Sequence, residues 1–508
     1  MQYQLQRQAA IIGARRRERL TPVVRTASSY IKEEKVRLTL VLVFFAAHVP
    51  LAILMSVNRY IATLHAFATI AGALWLALSS EKIERVAYAA AYITGAEVLW
   101  RMTSAQFFWE IGKYGVAAVL IVAMIRHWRV KPSILPVLYF VLLLPSALLT
   151  FLSLPLGESR HLLSDNMSGP LALMIAGCFF SQLSLSREHL LRLFLMLIGP
   201  IIGVAAVAFF GIATTEEIVF GGESSLAASG GFGPNQVSSV LGLGTLTCFL
   251  ILLEKDVHLK LKILCGGIIM FVAAQSALTF SRGGLYNAAG AIVLASLFLL
   301  KDPRTRIQFV LSIVLVSAVF YFVIFPQLDN FTGGALSARF EDTEMTGRED
   351  IANADLNIWL DNFILGVGPG LAKEHRREFY RAAAAHTEFT RLLAEHGVLG
   401  LVALFVFTGA AVRNLVTART ARDKGLIVAV TAWSIFYMLN TAMRLVAPAM
   451  MLGLAFAHFL SASKDTPALS KYGGAGMPAG DCGGSVFSKA HNPQTNRRSQ
   501  TRITLSSG

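Results

Sequence analysis

The 508-residue chain is 55% hydrophobic and only 15% charged, with a mean hydropathy of +0.58. A water-soluble protein of this length needs more polar surface than 45 Lys and Arg and 31 Asp and Glu side chains provide, and the apolar residues fall into segments of membrane-spanning length. This composition excludes soluble enzymes, fibrous proteins and disulfide scaffolds. It indicates a multi-spanning membrane protein.

The net charge of +14 is concentrated at the two ends of the chain, where residues 1–37 and 464–508 together contribute +10. Basic segments beside membrane spans are typical of the cytoplasmic side or of contact with anionic headgroups, so no nucleic acid is expected as a partner. The four cysteines show neither a disulfide framework nor metal-ligand spacing, and no nucleotide or dinucleotide motif is present. We therefore expect no cofactor and no metal site.

The apolar stretches predict an all-α integral membrane protein with about 12–14 transmembrane helices and one large extracytoplasmic loop before the last spans. The predicted organisation is a basic tail (1–37), eleven spans (38–326), the large and partly helical loop (327–397), three spans (398–462) and a disordered tail (463–508). The fourteen predicted spans are 38–57, 60–79, 84–100, 108–125, 133–156, 168–185, 190–212, 235–253, 261–280, 284–300, 307–326, 398–415, 426–442 and 446–462.

Two hairpins make the number of spans uncertain by about two. The turns at Arg282 and Arg444 are so tight that either could belong to a broken or re-entrant helix. If the N-terminus is cytoplasmic, the short loops on its side hold 17 Lys and Arg, whereas the opposite short loops hold 6. Since positive charge accumulates inside, we expect both termini in the cytoplasm and the large loop outside.

The segment from His386 to Gly400 runs from the large loop into the twelfth predicted span. His386 could act as a general base, because a neutral imidazole near pH 7 accepts a proton from a hydroxyl. It could equally be an ordinary polar residue at a helix N-terminus. Glu388 and Glu395 could be no more than a solvated helix face.

Arginines in two further motifs could bind an anion. Arg282 lies between two apolar runs in Thr-Phe-Ser-Arg-Gly-Gly (residues 279–284), where a guanidinium is costly unless it is paired or faces an anion or a water-filled cavity. The alternatives are a snorkelling arginine and an ordinary Gly-Gly turn. Arg348 in the large loop is a second candidate anion ligand, and the glycine-rich turn at 366–370 could shape a cleft or be a plain loop.

Weaker candidates lie elsewhere in the chain. Asn235, in Gly-Pro-Asn-Gln at the start of the eighth span, could serve a site or could cap the helix. Glu97 and His65 lie within spans and could relay protons or pack helices. A basic helix face, which would contact headgroups, phosphates or only water, is expected from Lys373, Arg376, Arg377 and Arg381.

In chain order these motifs resemble the O-antigen ligase and O-antigen polymerase superfamily of bacterial inner-membrane glycosyltransferases over residues 38–462. The resemblance rests on Asn235, the Ser-Arg-Gly-Gly turn, the large loop with its Gly-Arg and Gly-Val-Gly-Pro-Gly motifs, and the His386 segment. The family pattern there is His, then Asn, Ser or Gln, nine residues, Gly, two residues, and Gly, Thr or Tyr. His386, Gly397 and Gly400 fit this pattern, and Thr387 departs from it at the second position.

The resemblance implies transfer or polymerisation of glycan from a polyprenyl (undecaprenyl) diphosphate carrier onto an acceptor hydroxyl. The reaction would be metal-independent and inverting, would occur at the periplasmic face of the bacterial inner membrane, and would serve O-antigen or exopolysaccharide synthesis. His386 would be the catalytic base, and Arg282 and Arg348 would bind the diphosphate. The secondary candidates are Glu388, Arg391, Asn235 and Arg444.

The implied partners are the lipid-linked donor, a glycan or lipid A-core acceptor and membrane lipids, with a flippase and a chain-length regulator as further candidates. A polymerase or exopolysaccharide role is preferred over a ligase role, although no residue decides between them. A multi-spanning secondary transporter or polysaccharide exporter is the alternative, because fourteen spans is a common transporter size. Transporters bind near the bilayer midplane and often show paired halves, whereas here no internal repeat is visible and the convergent charges lie at the outer face.

Overall fold

The computed structural model describes residues 27–460, with gaps at 128–131, 216–217, 219, 222, 343–346 and 381–383, and describes side chains from residue 38 onward apart from Arg304. The predicted disordered tail at 463–508 and residues 1–26 of the basic tail lie outside the described residues, whereas residues 27–37 belong to the first helix.

The described chain is built almost entirely of α-helices. Two two-residue strands, β1 (Ser184–Leu185) and β2 (His458–Phe459), pair in parallel. The helices are α1 (Ala27–Val57), α2 (Arg59–Ser79), α3 (Ile83–Met102), α4 (Ile111–Arg126), α5 (Ile134–Ser153), α6 (Leu156–Phe180), α7 (Arg187–Thr214), α8 (Pro234–Leu252), α9 (Leu259–Leu278), α10 (Gly283–Leu299), α11 (Pro303–Val319), α12 (Phe325–Phe331), α13 (Ala335–Glu341), α14 (Arg348–Asp361), α15 (Ala372–His375), α16 (Glu388–Thr417), α17 (Ala421–Asn440) and α18 (Ala447–Leu454).

The predicted all-α integral membrane fold is confirmed. Within the described ranges, eight helices are long and apolar enough to cross a bilayer. Large apolar side chains are exposed on their outer faces, such as Trp75 on α2 (68% exposed) and Phe322 in the π-helical turn Phe320–Ile324 between α11 and α12 (74% exposed). Such surfaces are stable against lipid but not against water. The eight spans are Leu38–Val57, Arg59–Ser79, Ile134–Ser153, Arg187–Thr214, Pro234–Leu252, Leu259–Leu278, Thr305–Phe331 and Glu388–Thr417.

Helices occur at all fourteen predicted positions, but the last is much shorter than predicted. Helix α18 has 8 residues, which corresponds to about 12 Å at the usual rise per residue. It is followed by β2, so the predicted span at 446–462 is not a full-length helix, in agreement with the broken-helix alternative for the Arg444 hairpin. All eight residues of α18 are buried, so their apolar character reflects packing against protein and not contact with lipid.

The large loop contains helices α13, α14 and α15, but the expected basic helix face at 373–381 is wrong. Helix α15 ends at His375, and the chain continues as a 3₁₀ turn, Arg376–Glu378. Arg376 is buried and pairs with Asp355 of α14 at 2.6 Å, because a buried guanidinium requires an opposite charge. Arg377 pairs instead with Glu374 at 2.9 Å. Arg381 lies outside the described residues.

Candidate functional site

A polar cavity of about 540 Å³ lies where α8, α10 and α17 meet the helices of the large loop. Four residues singled out in the sequence line it, namely Asn235, Arg282, Arg348 and His386. These residues are far apart in the chain, so the fold alone brings them together. The remaining lining residues are Glu223, Ser224, Ser281, Gly283, Tyr286, Arg339, Phe340, Asp342 and Asn440.

Arg282 directly precedes α10 and is held by backbone oxygens at the end of α13. Its Nη1 donates to the carbonyl oxygen of Asp342 and, at 3.4 Å, to that of Arg339. The last carbonyls of a helix have no partner within the helix and carry partial negative charge, so a guanidinium is a favourable donor to them. Both acceptors are neutral backbone groups, and they orient the Arg282 side chain.

Arg348 is the first residue of α14 and follows Gly347, whose φ of 71° favours glycine. Its Nη1 lies 3.4 Å from Oδ1 of Asn440, and among the described residues Arg348 forms no ion pair with a carboxylate. Burial lowers the pKa of Arg348, and the charges of Arg282 and Arg339 lower it further. Arg348 is therefore repelled by two neighbouring guanidinium groups, and an anion bound beside it would relieve this repulsion.

Arg339 is a third cavity arginine that the sequence analysis missed. It is buried at 7% exposed, and it donates from Nε to the carbonyl oxygen of Phe280 at 3.2 Å and from Nη1 to Oδ2 of Asp342 at 2.9 Å. No motif marked it. The available signal was an arginine between Leu336 and Phe340, on an otherwise apolar part of a short helix.

Asn235 faces Ser281 and does not cap α8. The N-cap of α8 is Gly233, and Asn235 lies inside the helix, so the capping interpretation of Asn235 is wrong. Its Oδ1 instead accepts a hydrogen bond of 2.8 Å from Oγ of Ser281. Gly284 permits this approach of α8 and α10, since a Cβ on it would lie 1.9 Å from the carbonyl oxygen of Ser238. The Ser-Arg-Gly-Gly turn is therefore part of a close helix contact.

His386 is half-buried and lies just before α16. On one side, Arg444 donates from Nη2 to the carbonyl oxygen of Ala385 at 3.1 Å. On the other, Thr387 is the N-cap of α16, and its hydroxyl accepts from the amide of Phe389 at 3.1 Å. The backbone is thus fixed on both sides of the imidazole. Thr387, which departs from the family pattern, thus supplies a hydrogen-bond acceptor for a backbone amide at the N-terminus of the helix.

Glu388 and Arg391 do not line the cavity, and the solvated-face interpretation of Glu388 and Glu395 is wrong. All three side chains are buried in one ion network on α16, where Arg391 pairs with both glutamates. Glu388 also accepts from the amide of Met443 at 2.9 Å. This network therefore joins the start of α16 to the turn before α18.

A second buried ion network holds the same turn from the other side. Lys113 donates to the carbonyl oxygen of Met443 at 3.2 Å, Arg101 donates to that of Arg444 at 3.0 Å, and Glu97 accepts from the amide of Val446 at 2.7 Å. Arg444 itself does not line the cavity, and its side chain donates to the carbonyl oxygen of Ala385. The members of this network are Glu97, Arg101, Glu110 and Lys113.

His65 and Glu97 both have structural partners. Nδ1 of His65 accepts from the indole N–H of Trp100 at 2.9 Å, and its Nε2 is hydrogen-bonded to the Tyr92 hydroxyl at 2.9 Å. These contacts join α2 to α3, as the helix-packing interpretation of His65 requires. Glu97 pairs with Arg101 at 2.8 Å.

The glycine-rich turn at 366–370 packs against α16 and does not line the cavity. Its amides at Val367 and Gly368 donate to the carbonyl oxygens of Ala394 and Glu395, each at 3.0 Å. Directly after these acceptors, α16 kinks at Gly397 (φ 60°, ψ −141°), where a Cβ would lie 2.6 Å from the amide nitrogen of Gly366. The spacing of the His386 motif thus includes a glycine that the kink requires.

Residues 265–405 match the family model described as O-antigen ligase. The matched segment covers somewhat more than a quarter of the chain and contains Arg282, Arg348 and His386, whereas Asn235 and Arg444 lie outside it. No curated protein matches the chain. The resemblance to the O-antigen ligase and polymerase superfamily is confirmed, and the match supports membrane glycan transfer of the O-antigen ligase type.

Proposed function

We propose that this protein transfers or polymerises glycan from a polyprenyl diphosphate carrier onto an acceptor hydroxyl, in O-antigen or exopolysaccharide synthesis. The observation that carries the proposal is that His386 lines the same cavity as Arg282, Arg339 and Arg348. Transfer from a diphosphate-activated sugar needs a base for the acceptor and cationic groups for the leaving group, within reach of one sugar ring.

The arginines supply the leaving-group site. Arg282 is oriented by two carbonyl oxygens, and the pKa of Arg348 is lowered by burial and by its cationic neighbours. A diphosphate would accept charge-assisted hydrogen bonds from both, and these strengthen as negative charge accumulates on the departing oxygen. This differential stabilisation favours the transition state over the bound donor.

His386 is proposed as the general base. It takes the proton from the acceptor hydroxyl as that oxygen forms a bond to the anomeric carbon of the donor sugar. The bond between the anomeric carbon and the diphosphate oxygen breaks, and its electron pair leaves with the diphosphate. A single displacement of this kind inverts the anomeric configuration. The proton remains on His386 until solvent or the released product removes it.

An apolar groove of about 500 Å³ supports a lipid-linked donor. It is lined by apolar residues of α9, including Met270 and Phe271, and by the π-helical turn and α12, including Val323 and Leu328. Helix α9 leads directly to the Ser-Arg-Gly-Gly turn of the cavity, and α12 is followed by the helix that carries cavity residue Arg339. An isoprenoid tail in this groove would place its diphosphate beside the arginines.

The proposed location is the bacterial inner membrane, with both termini cytoplasmic and the cavity open to the periplasm. The distribution of Lys and Arg between the short loops, 17 against 6, supports this orientation. Because lipid-linked glycans are built in the cytoplasm, a flippase would supply the donor and a chain-length regulator would act with a polymerase. In a deletion strain, loss of the ladder of chain lengths would indicate a polymerase. Free long polymer that is never attached to lipid A-core would indicate a ligase.

The test uses the purified full chain in lipid with a polyprenyl-diphosphate-linked glycan and candidate acceptors, without metal or nucleotide. We expect release of the lipid diphosphate coupled to a longer or newly attached glycan with inverted linkage. If folded protein releases no lipid diphosphate with any acceptor, but proteoliposomes take up a labelled solute, the transporter alternative replaces this proposal.

A further inference from the structure

An exposed aromatic side chain, Trp109, packs on a partly buried one, Phe232, near the start of α8, and we call this pair the aromatic shelf. Trp109 lies in the loop between α3 and α4 and is 54% exposed. Phe232 lies just before α8. The two ring centroids are 5.8 Å apart, and the ring planes are inclined by 48°. The rings are therefore not stacked on each other, and Trp109 keeps much of its surface accessible.

The indole of Trp109 is fixed by a buried arginine. The guanidinium carbon of Arg101 lies 4.8 Å from the ring centroid of Trp109, and its Nη2 donates to the carbonyl oxygen of the same residue at 3.2 Å. The Arg101 side chain is only 4% exposed and pairs with Glu97 at 2.8 Å. Trp109 is thus an exposed ring with a rigid support, which loses little conformational freedom when a ligand binds.

The same arginine connects the aromatic shelf to the cavity. Arg101 donates from Nη1 to Oε1 of Gln236 at 3.1 Å, and Gln236 follows Asn235, whose side chain lines the cavity. Phe232 lies in the glycine-rich turn before α8, three residues before Asn235 in the first turn of that helix. The arginine that supports Trp109 therefore also contacts the residue next to Asn235, at the start of α8.

We propose that Trp109 and Phe232 are a binding subsite for a sugar ring of the glycan, outside the reacting position. This proposal rests on the proposed transferase function, because that function brings glycan to the cavity. The C–H groups on one face of a pyranose ring carry partial positive charge, and the face of an aromatic ring carries partial negative charge. A rigid exposed indole next to a polar cavity matches this chemistry.

Contact with lipid is the other explanation for an exposed tryptophan in a membrane protein, since tryptophan is enriched at bilayer interfaces. Two observations favour glycan. The indole is held by a buried ion network that also bonds a residue next to the cavity, and an aromatic residue that only anchors a helix in lipid needs no such contact. In addition, the loop that carries Trp109 contains Ser104 with φ 53°, a conformation rare outside glycine and found where a structure constrains its backbone.

The test is ¹⁹F NMR on the full chain labelled with 5-fluorotryptophan in lipid nanodiscs. The Trp109 signal is identified by its loss in Trp109→Phe, and Trp75, 68% exposed on α2, is the internal control. The probe is a mixture of surface-glycan fragments released by mild acid from the bacterium that naturally makes this protein. We expect a saturable shift of the Trp109 signal and none of the Trp75 signal. A Trp109 signal that does not move, or that spin-labelled lipid broadens as strongly as that of Trp75, overturns the proposal.

Two further variants separate the subsite from general loop effects. Phe232→Ala is expected to weaken glycan binding several-fold at the Trp109 signal. Phe108→Ala removes a neighbouring ring that is 55% exposed and packs on Tyr114, and it is expected to leave binding unchanged. Equal loss of binding in both variants counts against the subsite.

The NMR measurement does not depend on catalysis, so the subsite and the proposed function can be contradicted separately. If the wild-type protein transfers no glycan but Trp109 responds, the subsite stands and the transferase proposal fails. If transfer occurs and Trp109 is silent, the subsite alone is wrong. With both in place, Trp109→Ala is expected to raise the KM for one glycan substrate several-fold while kcat stays unchanged.

Discussion

Arg444 donates a hydrogen bond of 3.1 Å to the carbonyl oxygen of Ala385, the residue immediately before His386. Arg444 belongs to the turn between α17 and α18, and that turn is held by buried charges on three other helices, α3, α4 and α16. The position of the proposed base therefore depends on an arginine that does not itself line the cavity. Arg444 is a positioning residue.

Replacing Arg444 by Ala is expected to lower kcat about ten- to a hundredfold, because a buried hydrogen bond from a charged group contributes about 1.5–3 kcal/mol. The KM for the lipid-linked donor should change little, since Arg444 does not line the cavity. Steady-state release of lipid diphosphate, with donor concentration varied, separates the two parameters. Arg413→Ala, at an exposed position of α16, is the matched control. A rise in donor KM as large as the fall in kcat in Arg444→Ala would show that Arg444 binds the donor.

His386→Ala is expected to abolish glycan transfer while the protein remains folded and binds the donor. The base is lost, but the arginines that would hold the diphosphate are unchanged. Donor binding is measured with a labelled polyprenyl diphosphate, and folding by thermal unfolding in detergent. His161→Ala, whose side chain is 74% exposed on α6, should keep full activity. Full activity in His386→Ala would remove His386 from the mechanism.

Arg282→Ala and Arg348→Ala are each expected to raise the Kd for the donor about ten- to a hundredfold, because each removes charge-assisted hydrogen bonds to the diphosphate. Arg282→Lys and Arg348→Lys should raise the Kd less, since lysine keeps the positive charge and lacks only the bidentate hydrogen-bond geometry of arginine. Binding of polyprenyl diphosphate without glycan measures this directly. Arg160→Ala, an exposed arginine on α6, serves as the control. Unchanged binding in both cavity variants would place the diphosphate elsewhere.

Gly397→Ala is expected to destabilise the fold by about 1–3 kcal/mol from backbone strain alone. The loss should be larger in practice, because the new Cβ would meet the amide nitrogen of Gly366 at 2.6 Å. Gly409 lies in the same helix, and no atom lies within 4 Å of the position that a Cβ would take there, so Gly409→Ala should be neutral or stabilise by up to about 1 kcal/mol. Thermal unfolding of both variants in one detergent makes the comparison. Equal stability of the two variants would show that the kink in α16 does not require glycine at position 397.

The local motifs were readable from the sequence because each depends on residue types at short spacing. Arg282 beside two glycines and His386 ahead of Gly397 and Gly400 could be recognised without a fold, and both Arg282 and His386 line the cavity. Arg339 could not, because a single arginine in a short amphipathic helix has no periodic or motif signal. Its place in the cavity follows from how α13 packs against Phe280.

Sequence reasoning assigned the wrong surroundings to several charged residues. Glu388 and Glu395 sit at helical spacing that also suits a solvated face, yet both are buried around Arg391. The spacing of Arg376 likewise suited a basic surface, but Asp355 from another helix neutralises it. Helical periodicity states which residues share a face and not what that face meets, so partners from other helices decide burial.

The sequence by itself determined that this is an α-helical membrane protein and where its helices lie. Hydrophobic segments of bilayer length can satisfy their backbone hydrogen bonds only as helices, whatever their neighbours. The tertiary structure decided that the last apolar segment is a short buried helix and not a full span, and that Asn235, Arg282, Arg348 and His386 meet in one cavity. Both outcomes depend on contacts between residues far apart in the chain, which local composition does not encode.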